Sequence, residues 1–93
     1  MAPSFFTKVF GEFLGCMLLV LSVFVSGGNA VVIGLTLAFI VLLIGPISGA
    51  AVNPAIAFAS FVKGDLDQQT TVSFILAEFL GGLTAAWAYT TMA

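Results

Sequence analysis

The sequence has 93 residues, of which 61% are hydrophobic and 6% are charged. An ordinary soluble domain carries about 25% charged residues, so this composition excludes a soluble domain and indicates an integral membrane protein. We expect a multi-pass protein of the plasma or cytoplasmic membrane, with the lipid bilayer as its surroundings. The charged residues are Lys8, Glu12, Lys63, Asp65, Asp67 and Glu78, so residues 13–62 carry no charge.

The same composition excludes several classes of function. Two lysines, no arginine and a net charge of −2 leave no basic surface for nucleic acid. The chain has no histidine, a single cysteine at Cys16 and four scattered carboxylates, which cannot build a metal site or a catalytic triad. We therefore expect no enzymatic activity, no metal and no cofactor.

The first apolar run ends at Ser26-Gly27-Gly28-Asn29, a cluster that favours a turn. This pattern predicts a membrane span over residues 9–26. Lys8 before the run and small residues after it also resemble a secretory signal peptide. However, Glu12 lies inside the run, and the run exceeds the ~7–15 apolar residues of a signal peptide, so a span is favoured.

The second uncharged block, residues 31–62, is too long for one span and too short for two. As one helix its 32 residues would measure about 48 Å against a hydrocarbon core of ~30 Å, whereas two spans and a turn need more than about 40 residues. Gly45 and Pro46 weaken the helix at the point where one span is complete. The block therefore predicts a span over 31–45, non-helical backbone over 45–52, and a re-entrant loop and half-helix within 46–62.

Four residues mark the ends of the predicted half-helix. Asn53 is suited to the N-cap, Pro54 to the first helical position, Lys63 to the last turn and Gly64 to the C-cap. Its nine residues, 54–62, would extend about 14 Å and reach only the middle of the bilayer. The preceding non-helical backbone must then be buried in protein or line a water-filled cavity. The helix N-terminus there adds about half a positive charge, which favours polar groups and repels cations.

The third span is predicted over residues 70–92, beginning at the end of the polar stretch 63–71. Trp87 and Tyr89 near its end are typical of a membrane interface. The chain is therefore predicted to be an all-α integral membrane protein with three transmembrane helices and one re-entrant half-helix, forming a single unit over 1–93.

The first and third spans share a short repeat, Glu12-Phe13-Leu14-Gly15 and Glu78-Phe79-Leu80-Gly81. Both spans start from the same membrane face, so the two glutamates should lie at similar depth. An intramembrane carboxylate costs about 2.5–3.5 kcal/mol, so each of them is expected to have a role. Gly11 and Gly15, four residues apart, predict a close helix crossing.

The segment Ile47-Ser48-Gly49-Ala50-Ala51-Val52-Asn53-Pro54-Ala55 resembles the first signature loop of the aquaporins and glycerol facilitators, including the Asn-Pro-Ala box. Ser48-Gly49 upstream, Gly34 in the second span and Gly11-Glu12-Phe13-Leu14-Gly15 in the first make the resemblance specific. It covers the whole chain but only the N-terminal half of a family member. Full-length members consist of two such halves, inverted relative to each other in the membrane.

This resemblance implies that the Asn53 amide donates to a passing molecule, and that the loop carbonyls accept hydrogen bonds from it. Glu12 would hydrogen-bond the loop backbone, and Glu78, Gly11 and Gly15 would also support the structure. The residues implied to line the pore are Asn53, Pro54, Ala55, Gly49, Ala50, Ala51, Val52, Ile33, Val41 and Ile56.

The positions that match the family's selectivity filter are all apolar in this chain. They are Ile33, Val41, Ala50 and Ile56, and the arginine of the family filter follows a second signature box that this chain does not contain. An apolar constriction argues against strict selectivity for water, and leaves passage of small neutral solutes such as glycerol, or closure of the pore by dewetting, as the alternatives.

The sequence thus favours a passive channel subunit for water, small neutral solutes, or both. One half-unit needs a second, which an antiparallel homodimer, a higher oligomer or a partner chain with the other half would supply. The alternatives are a small proton-coupled transporter that uses Glu12, and an inactive fragment or modulatory subunit of a host channel. Transport driven by a pH gradient would indicate the transporter, passive flux the channel, and no flux the subunit or fragment.

Overall fold

The computed structural model describes residues 2–92, which form four helices: α1 (Phe5–Val25), α2 (Ala30–Ser48), α3 (Pro54–Lys63) and α4 (Gln68–Met92). No strand occurs within these residues. At 1.5 Å per residue, α1, α2 and α4 measure about 32, 28 and 38 Å, whereas the ten residues of α3 measure about 15 Å. Three helices are thus long and apolar enough to cross a membrane. The predicted fold class, three spans and a short apolar helix, is confirmed.

Helix α1 is the centre of the arrangement. It packs against both α2 and α4, and α3 packs against α4, whereas α2 and α4 make no contact within the described part of the chain. The small core between α1, α2 and the loop before α3 contains Cys16, Ile40, Ile44 and Val52.

Glycines allow α1 to approach its two neighbours closely. On the α4 side, a Cβ atom at Gly81 would overlap the backbone carbonyl of Phe13. On the α2 side, a Cβ atom at Gly11 would lie 3.3 Å from Ile44, and one at Gly15 would lie 3.2 Å from Ile40. The backbone of α1 is therefore held between α2 and α4 with little room for added atoms.

Helix α2 is longer than predicted. It continues to Ser48 and includes Pro46, so the prediction of non-helical backbone from Gly45 was wrong. A proline one turn from the end of a helix removes a single backbone hydrogen bond, and in hydrocarbon this costs less than leaving a whole turn of carbonyls unpaired. The C-cap is Gly49, whose φ of 90° is a left-handed conformation that glycine adopts without strain.

Two other helices begin earlier than predicted, at polar caps outside the apolar runs. Helix α1 starts at Phe5 instead of residue 9, because the Ser4 hydroxyl caps it by accepting from the Thr7 N–H at 3.1 Å. Helix α4 starts at Gln68 instead of residue 70, where the Asp67 carboxylate accepts from the Thr70 N–H at 2.7 Å. That hydrogen bond lowers the pKa of Asp67 below its ordinary value.

The ends of α3 follow the predicted residues. The Asn53 side-chain oxygen accepts from the Ala55 N–H at 2.8 Å, and Pro54 is the first helical residue. Lys63 is the last residue of α3, one beyond the predicted end, and Gly64 has a left-handed φ of 99°. Local capping chemistry alone therefore defines this short helix.

We expect Gly81→Ala to lower the free energy of unfolding by about 1–3 kcal/mol, because the new methyl group would overlap the α1 backbone. Gly82→Ala is the matched control, since its Cβ atom would lie an ordinary 3.7 Å from Val20. Unfolding of the purified protein by SDS in mixed micelles, followed by circular dichroism, measures both. Equal stability of the two variants would contradict the close α1–α4 crossing.

Candidate functional site

The candidate site centres on the connecting loop, residues 49–53, between α2 and α3. Gly49, Ala50 and Val52 have positive φ angles of 90°, 51° and 43°. The left-handed conformation costs a non-glycine residue about 1–2 kcal/mol, and it is an outlier for a β-branched residue such as valine. Such strain persists only where the surrounding structure holds the backbone in place.

Glu12 of α1 holds this loop. Its Oε1 accepts from the Val52 N–H at 2.7 Å, and its Oε2 accepts from the Ser48 hydroxyl at 2.5 Å. The same hydroxyl accepts from the Ala50 N–H at 3.2 Å. Glu12 is 0% exposed, so these charge-assisted hydrogen bonds are shielded from water. One carboxylate thus ties the end of α2 and the strained part of the loop to α1.

Val52 anchors the loop a second time, through its side chain. The side chain is 1% exposed and packs with Cys16, Ile40 and Ile44. A Cβ atom at Gly15 would overlap Val52 Cγ1, so the glycine provides the space that the valine occupies. Of Val52, only the main-chain carbonyl remains available to line a pore.

The loop presents a row of free acceptors. Within residues 2–92, no donor is hydrogen-bonded to the carbonyl oxygens of residues 49–52. A cavity of about 360 Å³, the loop pocket, lies beside them. It is lined by Ser48, Gly49, Ala50, Ala51, Ile56, Ser60, Asp65, Leu66 and Phe74.

Asn53 supplies donors next to these acceptors. Its side-chain oxygen is used in capping α3, whereas its NH₂ group has no acceptor among the described residues. An amide nitrogen carries two N–H donors, and both remain free here. The N-terminus of α3 adds about half a positive charge at the same place.

The structure gathers part of the predicted pore-lining set around the loop pocket. Gly49, Ala50, Ala51 and Ile56 line it directly. Asn53 caps α3, and Pro54 and Ala55 are its first two residues; none of the three lines this pocket. Pro54 lines a second cavity of about 280 Å³, together with Cys16 and Glu78.

The two α2 positions predicted to line the pore are not brought to the loop pocket. Ile33 is half-buried and Val41 is 46% exposed, and neither lines the pocket. Most of α2 lacks a protein neighbour, since Ile40 and Ile44 are its buried residues within the described chain. These two residues therefore lie on a helix whose outer surface is open.

Sequence reasoning missed four residues of the loop pocket and the role of Ser48. Ser60 lies four residues after Ile56, and this helical spacing could have placed both on one face of α3. Asp65, Leu66 and Phe74 reach the pocket through the chain reversal between α3 and α4, which no local pattern indicates. The link from Ser48 to Glu12 joins residues 36 positions apart and has no sequence signal.

Comparison with known proteins gives relatives along nearly the whole chain. The lens fiber major intrinsic protein of Lithobates pipiens is 35% identical over 94 residues, which cover 89% of this chain and 36% of that protein. The glycerol uptake facilitator protein-like 6 of Lactiplantibacillus plantarum is 29% identical over 87 residues, which cover 85% of this chain and 40% of that protein. No solved structure matches.

The chain thus spans less than half the length of these curated relatives. The model of the major intrinsic protein family matches residues 1–92. Members of this family are integral membrane channels and not enzymes. Together with three helices that can cross a membrane, this match shows that the chain belongs to the major intrinsic protein family.

Proposed function

We propose that this chain is one half of a passive channel for water and small neutral solutes such as glycerol. The observation that carries the proposal is the row of unpaired carbonyls at residues 49–52, beside the free amide of Asn53. The carbonyls accept hydrogen bonds from a permeant hydroxyl group, and the amide donates to its oxygen. The positive end of α3 opposes cations at the same point.

A second half-unit completes the pore. The open surface of α2 and the loop pocket, bordered by a single half-helix, support this proposal. A second copy inserted in the opposite orientation would set its own α3 N-terminus against the first, as in inverted-repeat transporters. A partner chain with the other half would do the same.

The permeant class follows from the residues near the loop. Two of the filter-like positions, Ala50 and Ile56, line the loop pocket, and neither has a polar side-chain atom. An apolar constriction next to main-chain acceptors favours uncharged molecules that are small and can form hydrogen bonds. The printed name of the bacterial relative, a glycerol uptake facilitator-like protein, supports the same class.

The occupied oxygens of Glu12 favour the channel over the proton-coupled transporter. Both accept from donors of the protein itself, Ser48 and Val52. A proton carrier at Glu12 would have to break these hydrogen bonds in each cycle and release the strained loop.

Stopped-flow light scattering on proteoliposomes that contain this chain alone tests the proposal. Osmotic gradients measure water flux and glycerol gradients measure solute flux. We expect protein-dependent flux with a low activation energy, unaffected by collapse of a pH gradient. Permeability equal to that of empty liposomes, with insertion verified, would contradict a pore built by copies of this chain.

Asn53→Asp should lower the flux about tenfold, equivalent to about 1.4 kcal/mol on the barrier. The aspartate keeps the capping oxygen of α3 but loses both N–H donors and adds a negative charge. Asn29→Asp is the matched control. Asn29 caps the N-terminus of α2 with its side-chain oxygen, as Asn53 caps α3, but it lies at the end of α2 that is away from the connecting loop. Equal flux in the two variants would count against Asn53 as a pore residue.

Gly15→Ala should also lower the flux, because its methyl group would displace Val52 and with it the loop carbonyls. The packing conflict is expected to cost about 1–3 kcal/mol. Gly82→Ala makes the same change within a span at a position where the Cβ atom would lie an ordinary 3.7 Å from Val20, so it should leave the flux unchanged. If Gly15→Ala gives wild-type flux in the same proteoliposome assay, the position of the loop does not determine conduction.

A further inference from the structure

Glu78 of α4 is a buried carboxyl group with no hydrogen-bond partner. Its side chain is 1% exposed, and neither Oε1 nor Oε2 receives a donor from the described residues. It faces the Glu12 carboxylate of α1 across the helix crossing that Gly81 allows. Two ionised carboxylates would repel each other strongly in such a buried position.

The hydrogen bonds of Glu12 indicate which of the two holds a proton. Each oxygen of Glu12 already accepts from a protein donor, the Val52 N–H or the Ser48 hydroxyl. A carboxylate oxygen has two lone pairs, so each oxygen of Glu12 can accept once more. Glu78 receives no donor, and an ionised carboxylate without donors in a buried site is costly. The neutral acid, in contrast, provides its own donor.

We propose that Glu78 is a proton-holding positioning residue of the channel, whose carboxyl O–H donates to the Glu12 carboxylate and fixes it under the connecting loop. The pair then shares one proton and one negative charge. Glu78 does not touch a permeant. It acts through Glu12 on Val52, and through Val52 on the loop carbonyls and Asn53.

The second oxygen of the neutral Glu78 carboxyl group is a hydrogen-bond acceptor. The backbone N–H of Asn53 faces the Glu78 carboxyl group, although it lies outside hydrogen-bond geometry. A neutral carboxyl group offers one donor and one acceptor, as a glutamine amide does. Glutamine is therefore the substitution that keeps a donor and an acceptor at this position and cannot ionise.

The other groups near Glu78 define the controls. On α1, Glu12 and the buried thiol of Cys16 face it. Helix α2 has no titratable residue, and the connecting loop contributes only main-chain and amide groups. On α3, Lys63 lies at the exposed far end, paired with Asp65 at 3.0 Å. A pH effect removed by Glu78→Gln, which leaves Cys16 in place, is therefore assigned to the glutamate pair.

The first test compares flux in wild-type, Glu78→Gln and Glu78→Ala proteoliposomes across a pH series. We expect Glu78→Gln to retain wild-type flux at neutral pH, and Glu78→Ala to lose about tenfold, the factor that one hydrogen bond to a charged group corresponds to. Raising the pH removes the shared proton, so wild-type flux should fall while Glu78→Gln flux stays constant. A Glu78→Gln variant as impaired as Glu78→Ala, or with the wild-type pH profile, would overturn the proposal.

The second test does not depend on conduction, whereas the flux test rests on the proposed channel function. The infrared spectrum of Glu78→Gln in bilayers at neutral pH is subtracted from the spectrum of the wild-type protein under the same conditions. The difference should contain the carbonyl stretch of a protonated carboxylic acid, contributed by the wild type and lost at alkaline pH. Carboxylate bands alone in the difference would show Glu78 ionised and overturn the proposal, even if the channel conducts. Absence of flux with the acid band present would overturn only the proposed function.

Discussion

The arrangement of the loop depends on one carboxylate, that of Glu12. It accepts from the Ser48 hydroxyl at the end of α2 and from the Val52 N–H in the loop, in a position with no exposure. Ala50 and Val52 have strained left-handed backbones that a free loop would abandon. The Val52 N–H donates to Glu12 and the Ala50 N–H donates to the Ser48 hydroxyl, so neither amide bonds to a loop carbonyl. The carbonyl groups of the loop therefore remain free and provide the acceptors of the candidate site.

The packing of α1 explains how one side chain can have this effect. Glycines at 11, 15 and 81 bring the α1 backbone against α2 on one side and α4 on the other. Val52 fills the space beside Gly15, so the loop is fixed by packing as well as by hydrogen bonds. The position of the α3 N-terminus and the location of the loop pocket therefore follow from where α1 holds Val52.

The sequence predicted α3 to within one residue because its ends depend on local chemistry at Asn53, Pro54 and Gly64. It predicted the end of α2 poorly, since Pro46 is a local signal that the loss of backbone hydrogen bonds in hydrocarbon outweighs. Neither the Ser48–Glu12 link nor the residues that α4 adds to the loop pocket has a local pattern, because both arise from contacts distant in sequence. Most of α2 has no neighbour among the described residues, so the pore-lining role of Ile33 and Val41 stays a prediction.

Hydrogen–deuterium exchange of two neighbouring loop amides, measured by NMR on the wild-type protein, tests the central role of Glu12 most directly. The Val52 N–H is bonded to Glu12, whereas the Ala51 N–H has no acceptor among the described residues. Our account predicts a protected Val52 amide, a fast-exchanging Ala51 amide, and loss of the Val52 protection in Glu12→Ala with the amides of α1 still protected. Equal exchange of the two amides in the wild-type protein would contradict it.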